Sequence, residues 1–191
     1  VWIAPESAFG KTFLLELQRG CCRGCPYCTL PSSFSPRRIR GFPAVRDMLA
    51  RAEGVASQVG LVTPEAGDYP YLSQLLEELR RRRLGVSFAS LRVDALTAEM
   101  VEALTDSQRS SVTIAPETSE RLRGRCGKPF SDALILEKLH MCRQLGIKKV
   151  KLYCMTGLPG EEDEDLEATA RLAASIVREV GLDVVVGANT F

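Results

Sequence analysis

The chain has 191 residues, of which 45% are apolar and 26% are charged, and its formal net charge at neutral pH is +1. This length and composition predict a folded domain with a sizeable hydrophobic core and exclude a disordered or fibrous chain. The near-neutral net charge argues against a surface that coats nucleic acid. No apolar run reaches the roughly 20 residues that span a bilayer. The opening VWIAPESAFG does not resemble a signal peptide.

Short apolar or β-branched runs alternate along the chain with stretches of helical period, which is typical of repeated βα units around a parallel sheet. The predicted strands, in chain order, are residues 12–17, 58–63, 85–90, 111–115, 148–155 and 182–188. The predicted helices are residues 45–56, 71–84, 97–106, 131–145 and 163–180. Capping Ser, Thr or Asp residues begin several of these helices, and Gly residues end several of them.

Six such strands, with a helix after each of the first five, predict an α/β fold. We expect a partial (β/α)6 barrel whose strands are parallel and whose crossovers are right-handed. Because no sixth helix follows strand six, we expect the barrel to be truncated there, and residues 1–191 to form one domain of a longer chain. No internal linker, low-complexity segment or repeat beyond the βα alternation is visible in the sequence.

Seven cysteines are present, and four of them crowd into eight residues. An odd number concentrated in this way is unlike a secreted disulfide framework. In a reducing compartment, such a group of soft thiolate ligands is typical of a metal or iron–sulfur site. We therefore expect a soluble, cytoplasmic protein with a metal-binding cysteine loop.

The cysteine loop follows the first predicted strand, in the sequence LLELQRGCCRGCPYC. Its C-x-x-x-C-x-x-C spacing selects Cys21, Cys25 and Cys28, which can ligate three irons of a cubane cluster and leave the fourth iron open to a small molecule. Cys22 directly follows a ligand, so its side chain is predicted to point away. A structural zinc site is the main alternative, although zinc usually takes four protein ligands there.

Polar residues also follow the later strands, at the barrel edge where active sites collect. Glu65 or Asp68, after strand two, can accept an ammonium group, although Asp68 can equally begin a helix. Ser90 and Arg92 follow strand three. The segment PETSERLR follows strand four and combines carboxylate, hydroxyl and guanidinium groups. The turn GLPG follows strand five, and its glycines let the backbone approach a ligand closely.

The cysteine spacing, with Tyr27 immediately before the last cysteine, resembles the motif of the radical S-adenosylmethionine (SAM) superfamily. The resemblance covers nearly the whole chain, since RGCCRGCPYC, SLRVDAL, TIAPETSERLR, GKPF and KLYCMTGLPGEEDED are all similar to one branch of that superfamily. Members of that branch carry an N-terminal cobalamin-binding domain. The opening WIAPESAFGKTFLLELQRG resembles the junction between the two domains of that branch.

The resemblance implies an enzyme with a [4Fe–4S] cluster, whose open iron is chelated by the amino and carboxylate groups of SAM. It implies reductive cleavage of SAM to methionine and a 5′-deoxyadenosyl radical, which abstracts hydrogen from an unidentified substrate. It further implies an electron donor such as flavodoxin or ferredoxin. For the full-length protein it implies cobalamin, with methylation as one reaction.

The resemblance also assigns residues to the cofactor site. Glu65 occupies the segment that receives the amino group, Glu117 and Ser119 become ribose or amino contacts, and Arg121 is preferred over Arg123 as partner of the methionyl carboxylate. Backbone groups after strand five lie along adenine or ribose. The predicted cofactor-binding residues are Tyr27, Glu65, Glu117, Ser119, Arg121, Gly157 and Leu158.

Two alternatives stay open. A radical methylthiotransferase acting on RNA shares the three-cysteine loop but usually adds a second cluster and an RNA-binding tail. A non-catalytic iron–sulfur or zinc scaffold would not need the polar residues after strands four and five. Arginines at positions 37, 38, 40 and 80–83 can contact phosphates, yet a run that ends a helix is typical of a solvated last turn. We therefore expect neither a nucleic-acid partner nor a membrane partner.

Overall fold

The computed structural model describes residue 6 and residues 10–191. The predicted domain junction, residues 2–20, falls partly on residues 1–5 and 7–9, which lie outside the described residues. The strands are β1 (Thr12–Glu16), β2 (Gln18–Arg19), β3 (Arg38–Ile39), β4 (Gln58–Val62), β5 (Gly85–Ser87), β6 (Ser111–Glu117), β7 (Lys149–Thr156) and β8 (Asp183–Thr190). The α-helices are α1 (Leu30–Ser33), α2 (Phe42–Ala50), α3 (Leu72–Arg81), α4 (Ala98–Asp106), α5 (Glu120–Arg123), α6 (Asp132–Gln144) and α7 (Asp163–Ser175).

Six of these strands are parallel and follow one another in chain order. β1, β4 and β5 form one three-stranded sheet, and β6, β7 and β8 form another. A parallel bridge between Leu91 and Ile114 connects the segment after β5 to β6. The predicted α/β class with parallel strands is confirmed, whereas closure into a partial barrel and truncation after the sixth strand stay predictions.

Two of the helices have boundaries that differ clearly from the predicted ones, and two short strands were not predicted. The helix predicted at 45–56 begins earlier, with a proline in its first turn, and ends at Ala50. The helix predicted at 163–180 changes into a π-helical turn at Ile176–Val180, which Gly181 ends with a φ of +73°. β2 and β3 were not predicted, because two-residue strands are too short to show the alternation that reveals a strand.

The core lies between the sheets and the helices. In β1, Phe13 and Leu15 are buried, whereas the intervening Leu14 points to the opposite face and is 44% exposed. In α3 the buried residues are Leu72, Leu75, Leu76 and Leu79, whose spacing gives the helix one apolar stripe. None of the helices in the described part of the chain has both the length and the apolar character that crossing a bilayer requires.

A fully buried arginine, Arg123, ties the carboxyl end of β6 to the start of α6. Its guanidinium donates to the backbone oxygens of Pro116 at 3.3 Å, Thr118 at 3.0 Å and Phe130 at 2.8 Å, and to the carboxylate of Asp132 at 2.7 Å. The guanidinium carbon also lies 5.3 Å from the centre of the Phe130 ring. These contacts offset the loss of hydration that burying a charge entails.

We expect Arg123→Met to lower the free energy of unfolding by about 3–5 kcal/mol, because it leaves Asp132 without its cation and three carbonyl oxygens without a donor. Urea unfolding followed by circular dichroism measures the loss. The matched control is Arg178→Met at an exposed position, for which we expect a change within about 0.5 kcal/mol. Equal effects of the two substitutions would contradict a structural role for Arg123.

Candidate functional site

The cysteine loop lies between the two strands of a short antiparallel ribbon, formed by β2 and β3. Arg19 pairs with Arg38 across this ribbon, directly beyond the carboxyl end of β1. Gly20 begins the loop with a φ of +83°, and a side chain there would meet the carbonyl oxygen of Phe34 at 2.2 Å. Only glycine fits this position, so the backbone geometry holds both ends of the loop close together.

The three predicted ligands, Cys21, Cys25 and Cys28, are half-buried free thiols. The amide of Cys28 donates to the carbonyl oxygen of Cys25 at 3.0 Å, and the amide of Arg23 lies 3.4 Å from the sulfur of Cys21. Burial raises the pKa of the Cys21 thiol, so binding of a metal there must displace a proton. Among the described residues, no three His, Cys, Asp or Glu side chains converge as ligands of one metal ion.

Cys22 is exposed and contacts a different set of residues. Its sulfur accepts from Arg37 Nη1 at 3.3 Å, and its thiol lies 3.8 Å from Asp68 Oδ2. Asp68 is itself paired with Arg23, through Nε at 2.8 Å. This placement is compatible with three ligands that exclude Cys22, and ligation by the other three cysteines stays a prediction.

Cys25 packs against the loop that precedes α6. Gly127 in that loop has a φ of +71°, and a Cβ there would lie 3.2 Å from Cys25 Cα and 3.4 Å from Cys25 Sγ. Arg92 Nη1 donates to the Gly127 carbonyl oxygen at 3.2 Å and lies 4.0 Å from Cys25 Sγ. Its Nε and Nη2 pair with the Asp94 carboxylate, both at 2.9 Å. Arg92 therefore connects the cysteine loop to the loop before α6 and to Asp94.

A buried carboxylate joins the cysteine loop to the end of β6. The hydroxyl of Tyr27 donates to Glu117 Oε1 at 2.8 Å, and the ammonium group of Lys128 donates to the same oxygen and to the carbonyl oxygen of Ala115 at 2.7 Å. Glu117 has a φ of +68°, at an irregularity in the pairing of β6 with β7. Burial, followed by the Glu117 carboxylate, raises the pKa of Tyr27. Sequence reasoning did not assign a role to Lys128.

Ser119 and Arg121 are both held by Asp165, which lies in the first turn of α7. The Ser119 hydroxyl donates to Asp165 Oδ1 at 2.5 Å. Arg121 Nε donates to the same oxygen at 3.0 Å, and Arg121 Nη2 donates to the carbonyl oxygen of Gly160 at 3.0 Å. The Arg121 guanidinium holds the pKa of Asp165 well below its usual range. Ser119 and Arg121, the two residues predicted to contact the cofactor, thus make hydrogen bonds to other residues of the chain. Their roles in cofactor binding stay predictions.

Hydrogen bonds of the Glu65 carboxylate connect the turn after β4 to the segment after β5. Its two carboxylate oxygens accept the amides of Gly67 and Arg92, each at 3.0 Å, and its carbonyl oxygen accepts from the Gln18 side chain at 2.9 Å. Burial raises the pKa of the Glu65 carboxyl. Its predicted role as partner of an amino group stays a prediction, and its observed contacts are with the chain itself.

An apolar cavity of about 280 Å³ opens beside the cysteine loop. Tyr27, Leu122, Cys126, Leu158 and Phe191 contribute to its walls, so it draws on the ends of β6, β7 and β8. The predicted Gly157 is not among the residues that line this cavity. Its amide donates to the carboxylate of Glu161 at 2.5 Å, and its φ is +84°.

Comparison with known proteins decides the family. Residues 15–173 match the Radical SAM superfamily. The chain belongs to the radical SAM superfamily. Membership supports enzyme status and implies a [4Fe–4S] cluster and SAM as cofactors. The donor chemistry fits the cluster, because Cys21, Cys25 and Cys28 offer three free thiols on one loop.

Two curated relatives extend well beyond this chain. An uncharacterised protein of Methanocaldococcus jannaschii is 36% identical over 182 residues, which cover 93% of this chain and 40% of the relative. A tRNA-2-methylthio-N(6)-dimethylallyladenosine synthase of Chlorobium phaeovibrioides is 27% identical over 195 residues, which cover 95% of this chain and 42% of the relative. The chain therefore spans about two fifths of the length of these two relatives.

Solved structures share the fold at low sequence identity. SuiB of Streptococcus suis, bound to the precursor peptide SuiA, has a TM-score of 0.63 at 14% identity, and the match covers 93% of this chain and 39% of SuiB. OxsB, a cobalamin-dependent SAM radical enzyme with aqua-cobalamin and SAM bound, has a TM-score of 0.60 at 18% identity, with 84% of this chain and 26% of OxsB covered. At these identities the likeness is one of fold.

We expect Cys25→Ala to abolish a stable cluster, because one iron loses its thiolate, and Cys22→Ala to retain about four irons and four sulfides per chain. Iron and sulfide analysis after anaerobic reconstitution, with electron paramagnetic resonance after reduction, measures both variants. Loss of the cluster in Cys22→Ala would overturn the ligand assignment. Bound zinc without sulfide in the unaltered protein would favour the zinc alternative.

Proposed function

We propose that this chain is the catalytic core of an enzyme that cleaves SAM reductively into methionine and a 5′-deoxyadenosyl radical. Cys21, Cys25 and Cys28 hold the cluster. When bound, the [4Fe–4S] cluster supplies one electron and one iron that no protein side chain ligates. The observation that carries the proposal is the position of these thiols on a closed loop, joined by Tyr27 to the buried carboxylate of Glu117.

Lys128 is the cation that we assign to the carboxylate of SAM. An ammonium group has three donors, and the described residues engage two of them, through Ala115 and Glu117. The third donor is therefore available to a ligand beside the cysteine loop. Arg121 is less suited to this role, because Asp165 and Gly160 already hold its guanidinium.

Glu117 is the group that we assign to the ribose hydroxyls of SAM. Its Oε1 accepts from Tyr27 and Lys128, whereas no hydrogen bond from the described residues reaches its Oε2. A carboxylate oxygen that no protein donor reaches can accept charge-assisted hydrogen bonds from the hydroxyl groups of a ligand. The adjoining cavity, which Leu158 helps to line, is apolar and suits the flat adenine ring.

The decisive test is the formation of 5′-deoxyadenosine. We expect anaerobically reconstituted protein, supplied with SAM and dithionite, to release 5′-deoxyadenosine and methionine, and Cys25→Ala to release neither. Liquid chromatography with mass spectrometry measures both products. A protein that holds the cluster but releases no 5′-deoxyadenosine would instead be the non-catalytic scaffold.

We expect Lys128→Met to weaken SAM binding about 10- to 150-fold, because a charge-assisted hydrogen bond contributes roughly 1.5–3 kcal/mol. Equilibrium dialysis of the reconstituted protein measures the dissociation constant, and iron analysis checks that the cluster is intact. The matched control is Lys149→Met, which removes an exposed lysine at the opposite, amino-terminal end of β7. An unchanged dissociation constant in Lys128→Met would remove this residue from the SAM site.

For the full-length protein we propose methylation of a substrate with cobalamin bound outside these residues. The segments that resemble the cobalamin-associated branch support it, as does the fold shared with cobalamin-dependent OxsB. Methylthio transfer to RNA is the second candidate, because a tRNA methylthio synthase is among the relatives. Bound corrinoid in the full-length protein favours methylation, whereas about eight irons per chain, from two clusters, favours methylthio transfer.

We also propose a cytoplasmic location for this activity. The seven cysteines are free thiols in the structure, and thiols stay reduced in the cytoplasm, where disulfides are rare. A thiolate-bound iron–sulfur cluster with an open iron requires such reducing surroundings.

A further inference from the structure

A cavity of about 640 Å³ lies on the face of the β1–β4–β5 sheet that points away from the helices. Alternate residues of β1 and β4 belong to the hydrophobic core, whereas Leu14 and Val62 point to this opposite face and are both 44% exposed. Leu14, Gly60 and Ser87 are neighbours across the three strands and form the middle of its floor. A cavity of this volume is typical of small-molecule sites.

The floor of this cavity is apolar. A Cβ on Gly60 would lie 2.9 Å from Leu14 Cδ2 and 3.1 Å from Thr12 Cγ2, so these two side chains lean over the glycine. A glycine inside a strand weakens the strand and often marks a place that another group approaches closely. Val62 and Phe88 extend the apolar wall toward the carboxyl ends of the strands. The cavity therefore suits the apolar body of a ligand.

The charge that lines this cavity is positive and lies at the amino ends of the strands. Lys11 and Arg109 contribute it, and the wall that the structure describes contains no aspartate or glutamate. Arg109 Nη2 donates to Gln58 Oε1 at 2.5 Å, and none of the described carboxylates forms an ion pair with this guanidinium. Glu16, beyond the other end of the cavity, is held by Arg19 at 2.9 Å. An arginine with one neutral partner can still bind a carboxylate or phosphate group.

The same positive character continues onto the second sheet. Arg109 also lines a smaller cavity, of about 170 Å³, together with Thr113 of β6. Thr113 pairs with Lys151 of β7, whose ammonium group lies 4.7 Å from the centre of the Tyr153 ring and in no ion pair among the described residues. Asp183 is the acidic residue on this side of β8, at its first position. An anion that enters the larger cavity thus meets unpaired cations on two sides.

The opposite end of the larger cavity adjoins the cysteine loop. From Gln58 to Val62, β4 rises about 13 Å, at roughly 3.3 Å per residue. The carbonyl oxygen of Val62 accepts the amide of Leu17 at 3.0 Å, and the next residue, Gln18, begins the ribbon that leads into the loop. A ligand whose anionic group is bound at Arg109 therefore extends its other end toward the cysteine loop.

We propose that this cavity binds the substrate of the radical reaction, and that the substrate is a small organic anion. Its apolar body lies on Leu14, and its carboxylate or phosphate group is bound by Arg109. The inference rests on the proposed function, because it assigns the substrate class of the same enzyme. It also fixes the orientation of the substrate, whose reacting carbon lies at the end remote from the anionic group.

A second copy of the chain is the other occupant that an exposed apolar face can take. A symmetric pair would bury the same face of both copies, so it would bring the Lys11 and Arg109 side chains of each copy into one interface. The described wall has no acidic residue to offset these charges. Charge complementarity therefore favours a small anion.

The test compares four ligands with similar aliphatic chains, namely octanoate, octyl phosphate, octan-1-ol and octylamine. Calorimetry on the anaerobically reconstituted protein measures their dissociation constants. We expect at least one of the two anions to bind more tightly than octylamine by a factor on the order of ten, because the cationic end attracts one charge and repels the other. The tighter of the two anions shows whether the substrate carries a carboxylate or a phosphate.

Arg109→Met separates the contribution of the charge from that of the apolar floor. We expect it to weaken anion binding about 5- to 30-fold, because an exposed charge-assisted contact contributes roughly 1–2 kcal/mol, and to leave octan-1-ol binding unchanged. Leu14→Ser removes apolar contact and is expected to weaken binding of the anion and the alcohol alike. The matched controls, Arg178→Met and Leu166→Ser, alter exposed residues outside the cavity and are expected to change neither.

The outcomes separate this inference from the proposed function. Octylamine that binds as tightly as the anions, or an equal effect of Arg109→Met on anion and alcohol, overturns the inference even if 5′-deoxyadenosine forms. Failure of both anions to bind overturns it as well. If sedimentation velocity shows a dimer that Leu14→Ser converts to a monomer, the face joins two copies and the inference fails. Absence of 5′-deoxyadenosine from the unaltered protein with SAM and dithionite instead overturns the proposed function.

Discussion

The guanidinium of Arg123 is completely buried, and its hydrogen bonds set the path of the backbone where β6 ends. It binds the carbonyl oxygens of Pro116 and Thr118, on either side of Glu117, whose φ of +68° is rare for a residue with a side chain. Such a conformation costs about 1–3 kcal/mol and persists only where its surroundings impose it. Arg123 imposes it here, and the Glu117 carboxylate reaches Tyr27 of the cysteine loop as a result.

The other strand ends are connected to the cysteine loop through a second set of polar contacts. Glu65, after β4, accepts the amide of Arg92, after β5. The Arg92 side chain then reaches the carbonyl oxygen of Gly127 and the sulfur of Cys25. Because each link uses a buried or half-buried group with few alternative partners, movement of one loop disturbs the others. Four loops therefore form the site together, and no single sequence motif contains all of its residues.

Periodicity in the sequence was sufficient to predict the six parallel strands and the five longer helices, because amphipathic segments of this length have distinct patterns. The cysteine spacing likewise predicted the loop. The sequence does not reveal burial of isolated cations. Arg121 and Arg123 lie two residues apart, yet one pairs with Asp165 on α7 and the other is enclosed by backbone carbonyls. The role of Lys128 was missed for the same reason, since its contacts are set by the irregular end of β6.

The β2–β3 ribbon has a consequence for substitutions inside the cysteine loop. It closes the 18-residue stretch from Gly20 to Arg37 by pairing Arg19 with Arg38. Closing a flexible stretch of this length costs about 2.5 kcal/mol of chain entropy. The backbone pairing offsets part of that cost without using any side chain inside the loop. Replacement of a cysteine there therefore changes what the loop can bind and leaves its two ends joined.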